Sequence, residues 1–594
     1  KTEANKDYLM TDADYRLTLG GYKGWQSPKV AKAAAVAFER RFFHWFLEFP
    51  EVFAAGGFDC VVGNPPFLGD KKLRRALGEF YIEWLRFYFS RAGLIDLVAY
   101  FFRRNYSIIN SKGFVSIIST NSIAQGDTRE GGLEYLMKIG ANVNFAISSI
   151  KWPGNAAVQV SLLGVTKRLS ISKFLNGKPV DKISSYLDSE NDKMQPFLLS
   201  GKSDDAFVGV YANGSGFVIE KVEAESLIQN NEKNLDVVFP YLTGGELNNS
   251  PNLSPERFTI NFKDWDYESA LKYPDCLSIL TERVKPFREK VISAGGQIHE
   301  YDYWKYWDKR LEKFTQIKRN SKVLVLARVS KTLAFTFVEN SNVIADSVVV
   351  FVYNNFNSFS ILQSNIHHHW IWKYCTTMKT DPNYGPSKVF QNFPFPKNIS
   401  KSQEVQLETI GKTYHEHRRQ LMLGMWLGLT RTYNLFHTKE LPTPEEAEAI
   451  SALPPKAIEK QYGKEVGKLV RHLAENEAAM YTLEQALAGI RRLRALHVEM
   501  DQAVLEAYGW SDIALRHDFY EVDYLPEHDR VRFTIHPEAR KEVLRRLLEL
   551  NHAVYAEEVA RGLHGKGKGN KKKVSADAEA GEDGGHLGEQ GTLF

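Results

Sequence analysis

The chain of 594 residues is too long to fold around one hydrophobic core, so roughly two to four domains are expected. With 43% hydrophobic and 25% charged residues it reads as an ordinary globular protein, and its net charge of +4 permits nucleic-acid binding without requiring it. Three scattered cysteines (Cys60, Cys276, Cys375) exclude a disulfide scaffold and a cysteine-rich zinc site, and with no bilayer-length apolar run or secretory signal the expected compartment is cytoplasmic, with no membrane partner.

The sequence opens on Lys1 rather than Met, in a polar, helix-compatible stretch, and is read as a fragment or the downstream half of a split gene. Gly20 to Trp25 read as a turn, since no strand precedes them at the offset a phosphate loop needs. An Ala-rich helical segment through Arg41 and the dense apolar run Phe42 to Phe53 make residues 1–57 a helical lead-in beside a sheet.

Phe58-Asp59-Cys60-Val61-Val62 reads as a fully buried strand, with Cys60 in the core. Gly63-Asn64-Pro65-Pro66-Phe67 stops it, because neither proline offers an N–H and each pushes its predecessor towards an extended conformation. The result is a stiff ledge at the carboxyl end of a strand, the edge where open α/β sheets bind ligands. An amide, a rigid carbonyl and a ring suit an exocyclic amine on a flat heterocycle. The Asn64 side-chain oxygen and the Pro65 carbonyl each accept one N–H, Phe67 stacks on the ring, and the amine lone pair is aimed at an electrophile. The bland alternative is a strand followed by a proline turn.

This Asn-Pro-Pro-Phe ledge resembles the catalytic motif of amino-methylating DNA methyltransferases, above all the N6-adenine class. The resemblance implies S-adenosyl-L-methionine as methyl donor, with Asn64 at the margin of its site. It also implies an adenine flipped out of the duplex and direct displacement at the sulfonium methyl, with no covalent cysteine.

Lys71 to Phe102 reads as helical, with Leu73, Leu77, Phe80, Tyr81 and Leu85 at three-to-four spacing. Gly113 to Asn121 reads as a second buried strand. Val143 to Ile147 and Val158 to Val165 read as antiparallel neighbours at one sheet edge. Thr120, Asn121 and Gln125 follow a strand end and either face the ledge's cleft or begin a solvated helix. For the loop Lys151 to Ala157 the resemblance implies contact with the flipped base, with Trp152 as stacker beside Lys151. A tight hairpin explains Pro153-Gly154-Asn155 equally well. Residues 58–198 are thus the catalytic half of a doubly wound domain. The family's Asp-Pro-x-Cys-Gly-Ser-Gly-like cofactor loop is found nowhere in the 594 residues. The cofactor-binding half is therefore expected upstream, on another chain, or lost.

Residues 199–400 switch to short strands, turns and scattered aromatics. Arg328, Ser330 and Lys331 follow a strand, where Arg reads guanine and Lys meets phosphate, although a surface charge is the plainer reading. His367-His368-His369 lies on an amphipathic helix without a second ligand cluster, so no metal is expected. The layout resembles the target-recognition domain of gamma-class adenine methyltransferases, especially the long enzymes of type IIL restriction–modification systems and their phage-defence relatives. Residues 401–561 are helical, with amphipathic patterns over Gln403 to Trp426, Lys456 to Tyr508 and Pro537 to Ala560. Residues 562–594 form a disordered tail. Its end, Gln590-Gly591-Thr592-Leu593-Phe594, resembles sliding-clamp peptides, the alternative being a frayed terminus.

The expected fold class is α/β: a partial Rossmann-like methyltransferase domain, an α+β target-recognition domain and a helical C-terminal region. The expected function is site-specific adenine methylation of double-stranded DNA in a bacterial restriction–modification or phage-defence system. The alternative is a non-catalytic DNA-specificity module that needs a partner chain for cofactor. A third reading, methylation of RNA or of a protein glutamine, fits the large recognition region less well.

Overall fold

The first sheet contains β1 (Phe58–Gly63), β2 (Ile109–Thr120), β3 (Asn142–Lys151), β4 (Gln159–Thr166), β5 (Lys173–Leu175) and β6 (Lys178–Val180), in the spatial order β1-β2-β4-β3-β5-β6. The structure is a computed structural model that describes residues 28–564 apart from 90–94, 153–158, 170, 190–194, 203, 294–301, 379, 451–452, 523 and 526–528. Gly20 to Trp25, Pro153 to Ala157 and Gln590 to Phe594 lie outside the described residues.

β1 and β2 are parallel, with Gly63 opposite Ile117, while β4 is antiparallel to both β2 and β3. A parallel pair needs a crossover, and the helices Asp70–Leu77, Glu79–Tyr88 and Leu97–Ile108 supply it. The core packs Val98 and Phe102 of the last helix against Val115 and Ile117 of β2, Ala146 of β3 and Leu163 of β4.

Three expectations are corrected here. β1 is not buried: Cys60 is exposed and Val62 is 76% exposed. Its composition suits a central parallel strand covered on both faces, but among the described residues β1 lies at the sheet edge and pairs with β2 alone. The β3–β4 pair is not at a sheet edge, because β4 sits between β2 and β3 and the β5–β6 hairpin extends the sheet beyond β3. The single helix read over Lys71 to Phe102 is also broken. Gly78 takes φ +80° and resets the helical phase, so Leu73, Ile82 and Leu85 are buried while Leu77, Phe80 and Tyr81 face outwards.

The middle region holds β7 (Ala206–Val208), β8 (Val218–Glu220), β9 (Val238–Leu242), β10 (Arg257–Ile260), β11 (Lys322–Ala327), β12 (Thr336–Glu339), β13 (Val343–Ile344) and β14 (Val348–Phe351). They form two four-stranded sheets, β13-β9-β10-β8 and β12-β11-β14-β7. A separate hairpin follows, β15 (Thr376–Met378) with β16 (Asp381–Asn383). β11 (beyond Lys322) and β14 are buried beneath the helices Phe356–Gln363 and Asn365–Tyr374. The helix Lys401–Met425 packs on these in turn, so one core runs from Ala206 to Leu547. The middle and C-terminal helical regions share it.

The long C-terminal helices begin where their caps dictate. Ser400 and Gln403 form a capping box on Lys401–Met425, as do Thr482 and Gln485 on Leu483–Ala507. Lys456 to Tyr508 is three helices, broken at Gly463, whose φ is +88°, and again between Glu475 and Leu483. Pro537 opens the last helix, Pro537–Ala560, from the first-turn position proline favours. Between these helices lie β17 (Asp518–Glu521) and β18 (Val531–Thr534), an antiparallel pair within the stretch expected to be helical. Among the described residues no helix is long and apolar enough to cross a membrane.

Candidate active site

β1 ends at Gly63, and the next four residues leave the sheet without regular structure. Pro65 is buried and pins the ledge. Asn64 is exposed and its side chain has no hydrogen-bond partner among the described residues, and Phe67 is 37% exposed. The exit is tied down by Leu68 N–H donating to the Pro66 carbonyl at 3.1 Å. Leu97 N–H donates to the Leu68 carbonyl at 3.0 Å, which fastens the ledge to the start of the Leu97–Ile108 helix. Asp96, just before that helix, accepts the Ser122 hydroxyl at 2.5 Å. The amide and the ring are thus presented on a braced backbone, with the carbonyl of Pro65 between them.

Gly63 pairs with Ile117, so Asn64 emerges level with Ile118, and Asn121 lies roughly 10 Å further along the same edge. The Asn121 side-chain oxygen accepts the Ser161 hydroxyl at 3.0 Å, which aligns the ends of β2 and β4. Beyond it opens a cavity of about 290 Å3 between the first sheet, the middle region and the last helix. Asn121, Gln125, Ser148, Thr377 and Arg540 are among its lining residues. Lys373 forms an ion pair with Asp188 on its wall. Tyr186, also on the wall, has its phenol pushed up to about 12 by burial, while the Arg129 guanidinium 4.2 Å from its ring centre opposes the shift. His369 Nδ1 and Arg540 Nε and Nη2 have no hydrogen-bond partner among the described residues. Burial pushes the His369 imidazole well down, so it is neutral.

The other expected site residues are dispersed. Trp152 is half-buried at the end of β3, and Lys151 pairs through its backbone with Gln159. Arg328 Nε donates to the Asn383 side-chain oxygen at 3.2 Å, and Lys331 pairs with Asp529 at 2.9 Å. Ser330 is 6% exposed, its hydroxyl oxygen accepting from Thr332 N–H. Among the described residues no group of three or more histidine, cysteine or acidic side chains could hold a metal. His367 and His369 bond instead to the Leu362 carbonyl and the Thr534 hydroxyl. Sequence reasoning missed Thr377 and Arg540. Each reaches the cavity from an element far away in the chain, and no local pattern signals that.

The methyl donor that the sequence resemblance implies is S-adenosyl-L-methionine. The described residues do not build a pocket for it, since no glycine-rich strand–loop–helix unit stands beside β1. What they present at the ledge is an exposed amide, a backbone carbonyl and a partly exposed ring.

Residues 22–145 match the family model described as Eco57I restriction-modification methylase. Residues 204–397 match the model described as MmeI, target recognition domain. DNA methyltransferase A of Bacillus subtilis (strain 168) is 26% identical over 384 residues, covering 59% of this chain and 41% of that protein. The solved structure of the type IIL restriction–modification enzyme MmeI in complex with DNA superposes with a TM-score of 0.56 at 17% identity. It covers 84% of this chain and 57% of that one. The chain therefore spans about half the length of the relatives it matches, and the MmeI likeness speaks for the fold. In one chain, a segment similar to the Eco57I restriction-modification methylase model thus precedes a segment similar to the MmeI target recognition domain model.

Proposed function

We propose that this chain carries the amine-holding edge and the DNA-recognition region of a site-specific adenine N6-methyltransferase, working in a bacterial restriction–modification or phage-defence system. The observation that carries the reading is Asn64: an exposed, unpartnered amide at the carboxyl end of a parallel strand, followed by buried Pro65 and half-exposed Phe67. A flipped adenine gives its two N6 hydrogens to the Asn64 side-chain oxygen and the Pro65 carbonyl, and its face to Phe67. Both acceptors leave the nitrogen lone pair directed outwards. The recognition region then selects which adenine arrives, with Arg328 and Lys331 the reachable members of its candidate reading set.

The methyl donor is S-adenosyl-L-methionine, held by a donor-binding half on this polypeptide or another. That half joins the edge of β1 away from β2, where no strand pairs among the described residues and Val62 is exposed. Duplex DNA occupies the cleft beside Asn121 and Gln125, with Arg540 and Lys541 of the last helix facing its phosphates. Lys151 and Trp152 border the flipped base, and Gln590 to Phe594 offer a sliding-clamp peptide. The work is done in the cytoplasm.

Methylation-sensitive digestion of DNA incubated with the chain and S-adenosyl-L-methionine, alone and with the donor-binding half, tests this. Activity that disappears in Asn64→Ala while duplex binding persists supports catalysis. A second reading, a DNA-specificity module without catalysis, is favoured by the open β1 edge. It predicts tight duplex binding with no methyl transfer in either arrangement.

A further inference from the structure

The cavity beyond Asn121 is set apart from the ledge, since none of Asn64 to Phe67 lines it. Three regions of the chain wall it: Asn121 and Asn176 from the first sheet, His369 and Trp372 from the middle region, Tyr524 and Arg540 from the C-terminal region. Its volume of about 290 Å3 lies at the small end of the roughly 300–1,000 Å3 that small-molecule sites occupy, room for one nucleotide unit.

The chemistry of one wall follows from a chain of hydrogen bonds. Asp501 is buried, and Asn365 Nδ2 donates to its Oδ2 at 2.7 Å. The Asn365 side-chain oxygen then accepts the Thr534 hydroxyl at 3.0 Å. With its proton committed there, that hydroxyl accepts from His369 Nε2 at 3.1 Å. His369 is 2% exposed and neutral, so a proton on Nε2 leaves Nδ1 a bare acceptor. Nδ1 has no hydrogen-bond partner among the described residues.

Donors stand near this acceptor. Burial first, and the Arg540 charge next, hold the His369 imidazole well below its ordinary range. Arg540 Nε and Nη2, the two donors of a parallel fork, are also buried without a partner, and Lys541 follows on the same helix. Asp188 is the one acid on the described walls, and Lys373 neutralises it, so the cavity keeps a net positive charge. Trp372 and Tyr524 add flat apolar surface, their rings stacked 4.3 Å apart. Buried donors and acceptors with no partner in the chain suit a ligand that brings the complementary groups.

We propose that this cavity binds one nucleotide unit whose base carries an exocyclic amine. The phosphate meets Arg540 and Lys541, the amine donates to His369 Nδ1, and the base lies against the wall of Trp372 and Tyr524. A thymine, with a carbonyl in place of the amine, would set acceptor against acceptor at His369. The unit is either a free nucleotide or one nucleotide of a bound DNA strand. The site stands whether or not the ledge methylates.

Equilibrium dialysis of the full chain with labelled dAMP tests this. Deoxyadenosine, without the phosphate, and purine deoxyriboside monophosphate, without the amine, should each bind about tenfold more weakly than dAMP or worse, the scale of one buried or charge-assisted hydrogen bond. Arg540→Ala should weaken dAMP by a similar factor and leave deoxyadenosine as in wild type, and Arg540→Lys should restore part of the loss. Lys541 is exposed, so Lys541→Ala keeps the fold and should show the same selective loss more weakly. If neither alanine variant discriminates dAMP from deoxyadenosine, the phosphate is not held there and the proposal fails. Wild type that binds dAMP no better than inorganic phosphate overturns it as well. Excess duplex should displace dAMP if the unit belongs to DNA and leave it bound if the unit is free. Asn64→Ala should bind dAMP like wild type, which keeps this result apart from the methylation reading.

Discussion

Asn64 illustrates how far one residue can be read. Its place just past a strand end was legible because two prolines after an apolar run stop a strand, whatever surrounds it. Its exposure was not, because burial of β1 depends on a neighbouring strand that no local pattern reveals. Asn64→Ala should leave duplex binding within about twofold and lower methyl transfer by roughly a hundredfold or more, the scale seen when one preorganised polar contact is removed. Filter binding beside a methylation assay separates the two effects. The histidine run is a second case at this scale. Three adjacent histidines suggest a ligand cluster, yet burial pushes both the His367 and His368 imidazoles down to about 3. A folded-state pKa below the unfolded value of 6.5 means that the unfolded chain binds the extra protons. Stability is then fully present above pH 6.5 and is lost as the pH falls towards 3, by about 1.4 kcal/mol per pH unit for each group. Urea midpoints at pH 7 and pH 5 should differ accordingly, and a smaller drop is expected in His367→Asn. Identical midpoints would contradict this assignment.

Among elements, those with strong ends were legible and those made by packing were not. Pro537 at the first helical turn and the Ser400–Gln403 capping box mark their helices plainly. β17 and β18 are four-residue strands in a helix-rich composition, and only their partner across the chain makes them strands. The joint between recognition and helical regions was invisible for the same reason. In the helix Lys401–Met425, a Cβ on Gly411 would lie 2.4 Å from the Ser360 hydroxyl and 2.6 Å from the Phe356 carbonyl oxygen. Gly411→Ala gains about 1 kcal/mol in helix propensity. The backbone carbonyl cannot yield, however, so overpacking of about 1–3 kcal/mol should prevail. Net destabilisation in urea denaturation is expected, with larger loss for Gly411→Val. A stabilised Gly411→Ala would show that the two helices can separate there freely.

On the scale of the whole molecule, the change from short strands to long helices near residue 400 was legible from the sequence pattern, whereas the core shared across it was not. The first sheet carries its most exposed apolar strand at one side. Besides Val62, the crossover helix Glu79–Tyr88 turns Phe80 and Phe87 outwards at 80% and 85% exposure. Large apolar side chains this exposed on neighbouring elements suit an interface. If the donor-binding half pairs with β1, Val62→Lys should weaken that association by roughly tenfold while sparing duplex binding. Titration of the half against a labelled chain measures it, and unchanged association would place the half elsewhere. The deciding measurement combines the chain, the donor-binding half, duplex DNA and S-adenosyl-L-methionine carrying a labelled methyl group, followed by digestion to nucleosides. Labelled N6-methyladenine from wild type and none from Asn64→Ala, at equal DNA binding, is expected. Equal labelling by the two proteins, or label on cytosine, would contradict the role given to the ledge.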